Sequence, residues 1–288
     1  MSLASRRGAT LAELLVAITL AAIVLGVASA TVLRQRRSAD SQLAGERVES
    51  QARAALDELQ AVLADVSPAA GDLASGEARD TAMQIRAVVG SGVACDSGVG
   101  QVTFAADDTT DNRAGGVAVA PRVGDTLWWH APDSAQWIAR RVAVVSTVAA
   151  SCTATGSNPQ PLLRLAFATL DSVPSGAPLR LTRQARYSFY RASDGSWQLG
   201  VSEWSDVLHA FAPPQPVAGP FVLVAPGGVR TGFRYFDAAA NALPAAGQGI
   251  DVTKVARIRV TVAQPPVVGS SAGTYRRDSV DMALGHGP

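Results

Sequence analysis

Charge of one sign is what this chain of 288 residues most plainly lacks: 25 basic side chains face 24 acidic ones. A nucleic-acid binder normally carries a basic excess or stripe, so that class is set aside and no nucleic-acid partner is expected. Lysine is nearly missing, Lys254 being the only one, and arginine supplies the rest of the positive charge. Histidine is scarce as well, and His130, His209 and His286 stand far apart. With two cysteines and no Cys-x-x-Cys pair, ligands for a zinc site are too few and too scattered, and no metal or cofactor is expected. No internal repeat appears. The length suits one large domain, two small ones, or one domain with an appendage.

The two cysteines, Cys95 and Cys152, both lie in the polar part of the chain. In an exported protein one disulfide between them is the natural reading; in a cytosolic one they would be two thiols.

Against this even charge stands one long apolar run. From Leu14 to Leu33 there is no ionisable side chain. About 20 residues make roughly 30 Å of helix, the thickness of a bilayer's hydrocarbon core. Arg6 and Arg7 precede the run and Arg34, Arg36 and Arg37 follow it, so basic residues do not fix its orientation. Three readings compete. A cleaved signal peptide would use "ASA" at Ala28–Ala30 as its cleavage site, and "SRR" at Ser5–Arg7 hints at a twin-arginine signal. Glu13, at the start of the run, and the length of the run both speak against cleavage there. A plain single-span anchor permits Glu13 without explaining it.

The third reading rests on the stretch G-A-T-L-A-E-L-L-V-A at Gly8–Ala17. It resembles the prepilin processing motif of type IV pilins and type II secretion pseudopilins. The resemblance implies a short basic leader, residues 1–8, cut between Gly8 and Ala9 by prepilin peptidase, with methylation of the new amino terminus at Ala9. Glu13 is then the fifth mature residue. Thr10, Leu11, Leu14, Leu15 and Ala17 also follow the family's pattern, while Ala9 stands where the family usually has Phe. An unpaired ammonium and an unpaired carboxylate in lipid each cost several kcal/mol. The family implies that Glu13 of one subunit meets the amine of its neighbour, which lowers both costs and sets an axial register for assembly.

The helical pattern continues past the membrane-length run. Leu43, Val48, Ala52, Leu56, Leu59, Leu63 and Val66 form one apolar stripe, with Glu46, Glu49, Arg53, Asp57 and Asp65 on the other face. Pro68 blocks continuation. The predicted organisation is therefore a membrane or assembly helix over 9–33, its amphipathic continuation over 34–67, and a globular head over 68–288. From Ala9 to about Val66 such a helix would measure roughly 85 Å.

Beyond residue 80 the period changes. Short runs such as "VGDTLWWHA", "PLLRLAFATL" and "APLRLTRQARYSFYRA" are rich in β-branched and aromatic residues and are separated by Gly, Pro, Asp and Ser. Asp194-Gly195 reads as a hairpin turn. In "KVARIRVTV" the residues Val255, Ile258, Val260 and Val262 fall mostly on one face, and Arg257, Arg259 and Thr261 on the other. The expected fold class is α+β: a long amino-terminal helix packed on an antiparallel β-rich head, pilin-like. Residues 185–263 are also similar to the carboxy-terminal half of W-type minor pilins and J-type minor pseudopilins, through "RYSFYRASDGSWQLGVSEW", "GGVRTGFRYFDAAAN" and "VARIRVTV".

A search for chemistry finds little. "GSSAG" at Gly269–Gly273 has the form of a hydrolase elbow, but without a clear strand-to-helix context it reads as a loop. "DDTTDN" at Asp107–Asn112 lacks the spacing of a calcium loop and reads as a solvated acidic turn. "GSGVACDSGVG" at Gly90–Gly100 lacks the context of a phosphate loop and reads as chain wrapped about Cys95. Trp128, Trp129, Trp137, Trp197 and Trp204 are expected to fill the core. Two classes of function remain. One is a non-enzymatic structural subunit, a minor pilin or pseudopilin. Its partners would be other such subunits, prepilin peptidase, the inner-membrane assembly platform and the membrane, with the head outside the bacterial cytoplasm. The alternative is a β-rich enzyme or ligand-binding domain behind a signal peptide or anchor.

Overall fold

The computed structural model describes residues 11–96, 98–105, 116–117, 119–132, 136–152, 160–244, 250–266 and 275–285. Among the described residues a single α-helix, α1, runs from Leu11 to Ala64. Sixteen strands follow among the described residues: β1 (Ala82–Val93), β2 (Gly98–Val99), β3 (Gln101–Ala105), β4 (Gly116–Val117), β5 (Thr126–Ala131), β6 (Gln136–Ala150), β7 (Gln160–Phe167) and β8 (Ser172–Val173), then β9 (Pro178–Arg191), β10 (Trp197–Ser205), β11 (Ala210–Phe211), β12 (Gln215–Phe221), β13 (Gly232–Phe236), β14 (Ala242–Leu243), β15 (Arg257–Gln264) and β16 (Arg276–Ala283). The fold is thus α+β, one long apolar amino-terminal helix followed by a large antiparallel β region. The chain divides into two compact units; the first carries α1 up to Ser50, and the second begins at Gln51 and holds every described strand.

The second unit is organised by β9. From Pro178↔Val93 to Ser188↔Ala82 one edge pairs with β1. Its other edge changes neighbour part-way: Leu179–Thr182 pair with β5, and Ala185–Arg191 pair with β10. Alternate residues of β9 are buried, as a two-residue period requires, and they serve two cores in turn. Leu179 and Leu181 join Leu127, Trp129, Val142 and Leu165 in one. Ala185, Tyr187 and Phe189 join the other. Between them on the same alternation stands Arg183, only 5% exposed. Its guanidinium donates to the Asp125 carboxylate at 2.7 and 2.9 Å, to the Ala120 carbonyl at 3.0 Å and to Glu203 at 3.4 Å. Burial pulls the Arg183 pKa down, but the bonds and charge of Asp125 and Glu203 outweigh it and hold the pKa above the ordinary value. Paired buried charges of this kind mark where β10 ends and β5 begins.

The core containing Phe189 is where the helix enters the fold. Leu56, Leu59 and Leu63 of α1 pack with Met83 and Ile85 of β1, and with Phe233, Tyr235, Ile258 and Val260 of a second, four-stranded sheet in the order β14-β13-β15-β16. Full burial of each such leucine contributes roughly 1.5–3 kcal/mol relative to exposure. On this stripe Ala52 is buried while Leu43, expected on it, is 52% exposed; the Val48 side chain lies outside the described residues. On β15, Ile258, Val260 and Val262 are buried, and so are Thr261, Ala263 and Gln264 near its end, so this strand is covered on both faces there. The β9–β10 turn has the expected chemistry. Gly195 takes φ +84°, which glycine adopts without a Cβ penalty, and the Asp194 carboxylate accepts from the Ser196 amide at 2.9 Å.

Two tyrosines of the helix-bearing core carry a pH prediction. Burial pushes the Tyr187 pKa up to about 12, with Glu58 and then Glu203 adding to it, and burial raises Tyr235 further still. The Tyr235 hydroxyl donates to the Arg79 carbonyl at 2.9 Å. A pKa raised in the folded state gives stability that is whole below the unfolded value near 10 and is lost as pH rises towards 12. An alkaline titration followed at 295 nm and by circular dichroism should therefore show the Tyr187 and Tyr235 ionisations only together with unfolding. Their ionisation in a folded protein below pH 11 would contradict this.

Candidate functional site

The residues to which a role was assigned at the amino terminus fall partly outside the described chain. Gly8 and Ala9 lie outside the described residues. Glu13 is within α1, two residues after its first described residue, Leu11. What the structure does describe is the run that follows. From Leu14 the helix is long and apolar enough to cross a membrane. Its large side chains are uncovered: Leu14 is 57% exposed, Ile23 62% and Leu25 66%. The two threonine hydroxyls of the run are satisfied within the helix. The Thr19 hydroxyl donates to the Leu15 carbonyl at 3.0 Å and the Thr31 hydroxyl to the Val27 carbonyl at 2.9 Å. A helix whose threonines are satisfied internally, and with apolar side chains on every side, suits lipid or other apolar helices better than water.

Cys95 and Cys152 are bonded to each other, with Cα atoms 4.6 Å apart. Both sulfurs are buried beside Leu162. The glycine-rich run expected to wrap Cys95 does so only in part: Gly90–Val93 belong to β1, and Gly98–Val99 form β2, paired with β8. Asp107–Asn112, Gly269–Gly273 and His286 lie outside the described residues.

Where α1 ends, a cleft of about 450 Å³ opens between the helix end and the sheet, lined among others by Asp65, Ala70, Trp128, Trp137 and Arg180. Its floor is an ion cluster. Asp72, 2% exposed, accepts from the Ser67 amide at 3.0 Å and from Arg180 at 2.7 Å, and pairs with Arg86 at 3.3 Å. The same Arg180 donates to the Asp65 carbonyl at 2.7 Å, where a cation meets the negative end of the helix dipole. Arg86 lies 4.6 Å from the ring centre of Trp128 and donates to the Ala70 carbonyl. Burial lowers the Arg86 pKa, Asp72 raises it and Arg180 lowers it again. All these groups are paired with one another, so the cluster fixes the helix end to the sheet.

The tryptophans correct one expectation. Trp129 is buried and stacks on Phe167 at 5.8 Å, and Trp197 packs half-buried on the helix-bearing core. Trp128 and Trp137 line the cleft instead, Trp137 with 39% exposure, and Trp204 stands half-buried with its edge to Phe211. Adjacent residues on a strand point to opposite faces, so Trp128 and Trp129 could not share one core. Sequence reasoning also missed Asp72, Arg86, Arg180 and the Arg183–Asp125 pair. Arginines inside otherwise apolar strands were the only signal, and nothing in the sequence named their partners.

Among the described residues no three His, Cys, Asp or Glu side chains gather closely enough to hold a metal ion. Compared with family models, with curated proteins and with solved structures, the chain matches none.

Proposed function

We propose that the chain is a minor pilin or pseudopilin: a single-pass membrane precursor, cut after Gly8 by prepilin peptidase, methylated at Ala9 and assembled with other subunits into a type IV pilus or type II secretion pseudopilus. The observation that carries this reading is one continuous helix whose first part is apolar and uncovered while its last turns are buried in a β-rich head. Cleavage after Ala30 would cut this helix inside its membrane-length run. Here Leu56, Leu59 and Leu63 lie on the helix that begins with the membrane-length run. The Gly8–Glu13 spacing supplies the processing site and the carboxylate that would pair with the new amine. A large head on such a helix suits the tip of a filament, where no subunit above restricts its bulk, and its disulfide suits an extracytoplasmic location.

The test is the amino-terminal residue of the mature protein, read by mass spectrometry from the native membrane. N-methyl-Ala9 is expected; a mature chain that starts at Thr31 overturns the proposal. A second measurement addresses Glu13. The Glu13→Ala precursor should still insert in the membrane, because the uncharged run is intact. Its recovery with partner subunits should drop at least tenfold, because the amine loses its counter-charge. Unchanged co-assembly removes the role assigned to Glu13.

A further inference from the structure

Two strand edges of the head that lack a partner among the described residues differ in chemistry. The outer edge of β16, whose only described neighbour is β15, carries Arg276, Arg277, Asp278 and Asp281. Charges of this kind blunt an edge against pairing with other chains. The second edge belongs to β6. Its first residues, Gln136–Arg141, pair with β5, and the ladder ends where the Val142 amide donates to the Asp125 carbonyl at 2.8 Å and the Gly124 amide to the Val142 carbonyl at 2.9 Å. After a register shift at Ala143, β6 pairs with β7 on its other side up to Ala150. From Val144 to Ala150 the side of β6 that faced β5 therefore has no described neighbour.

This free stretch reads VVSTVAA: seven residues, no charge, no proline and four β-branched side chains. Val144 is 54% exposed, and Ser146, Thr147 and Ala149 are exposed as well. From Val144 to Ala150 neither a charge nor a proline blunts the edge. The strand is also held ready, because Cys152, two residues past its end, is buried and bonded to Cys95. Holding an edge in its bound conformation lowers the entropy lost on binding.

The neighbouring strand says what should lie beside it. Arg164 of β7 stands across from Ser146 on one side and from Thr103 of β3 on the other. Its Nε is buried without a hydrogen-bond partner among the described residues. Asp96, beyond Thr103, is engaged by the Thr103 hydroxyl at 3.2 Å. Ser146 is short, so Arg164 can extend over it towards the open edge. A strand added there would lie about 10 Å from β7, twice the usual interstrand spacing, which an arginine and a glutamate together can span. β6 contains no acidic residue, so a second copy pairing edge to edge would bring Arg164 no counter-charge.

We propose that the open edge of β6 from Val144 to Ala150 docks an extended segment of a partner protein, which adds as a strand and sets a carboxylate beside Ser146 within reach of Arg164. Backbone hydrogen bonds supply affinity and the carboxylate supplies register. The proposal stands on the sheet topology and holds whichever machine the subunit serves.

The experiment uses the full-length protein in detergent and three fluorescent nine-residue peptides of alternating Thr and Val. One has a central Glu, one a central Lys, and the third has the central Glu with alternate backbone amides N-methylated. The Glu peptide should bind saturably, the Lys peptide at least fivefold more weakly and the methylated peptide not at all. Arg164→Gln should abolish the difference between Glu and Lys peptides while leaving both bound. Alternate amides of Val144–Ala150 point away from β7 towards the open edge, and their exchange should slow at least tenfold when the Glu peptide is added. Absence of saturable binding, or binding indifferent to N-methylation, overturns the proposal. So does strong protection of those amides without peptide: if it falls on dilution a second copy covers the edge, and if it does not the chain covers it itself.

Discussion

Replacing Asp72 by alanine should destabilise the head by about 3–5 kcal/mol, the cost of removing one partner from a buried ion cluster. Asp72 is buried, accepts from the Ser67 amide, and stands between two guanidinium groups, Arg86 and Arg180. Without it the two cations face each other beside the end of α1, and burial already works against the charged form of Arg86. The Ser67 amide also loses its acceptor in a buried place, a further penalty of the kind an unmade hydrogen bond carries. Asp72→Asn should fall between wild type and alanine, because the amide oxygen still serves Ser67 while the charge is gone. Urea unfolding followed by tryptophan fluorescence would measure the series, and Trp128, under Arg86, sits close enough to report on it. If alanine costs less than 1 kcal/mol, the cluster does not hold the helix end and Arg180 finds another partner.

Removing the disulfide is the second large effect. The Cys95–Cys152 bond closes a loop with a sequence separation of 57. Loop-closure entropy for that length corresponds to about 4 kcal/mol. In a protein of this size that should lower the melting temperature by roughly 10 °C. The bond lies among buried residues, and Cys95 is anchored independently: its amide donates to the Thr103 carbonyl at 2.7 Å and its carbonyl accepts from the Ser175 hydroxyl at 2.9 Å. The Cys95→Ser/Cys152→Ser variant should thus keep β3 and β7 paired and lose stability by gaining unfolded-state freedom. It should also loosen the far end of β6, so amide exchange near Ala150 should quicken more than exchange in β9. A melting temperature changed by under 2 °C would mean the unfolded chain already holds these residues together.

Features set by neighbours close in the chain were legible before any coordinates. The uncharged run after Glu13, the turn at Asp194-Gly195 and the alternation in β15 are each encoded within a few residues. A helix repeats at 3.6 residues and a strand at two, so local spacing suffices to read them. The disulfide was legible only as a pairing, since two cysteines in an exported chain leave one combination. What tertiary structure alone decided is where distant segments meet. Asp72 and Arg180 are 108 residues apart, and Arg183 and Asp125 are 58 apart. No periodicity announces such a pair, because it depends on strand order. The same holds for the exposure of Leu43, for the partition of Trp128 and Trp129 between cleft and core, and for the open edge of β6. The sequence by itself determined that one helix is too apolar for water and that a β-rich region carrying two cysteines follows it. Only the packed sheet decided which charges neutralise each other and which strand is left unpaired, because burial and hydrogen bonding are fixed by contacts between elements, not within them.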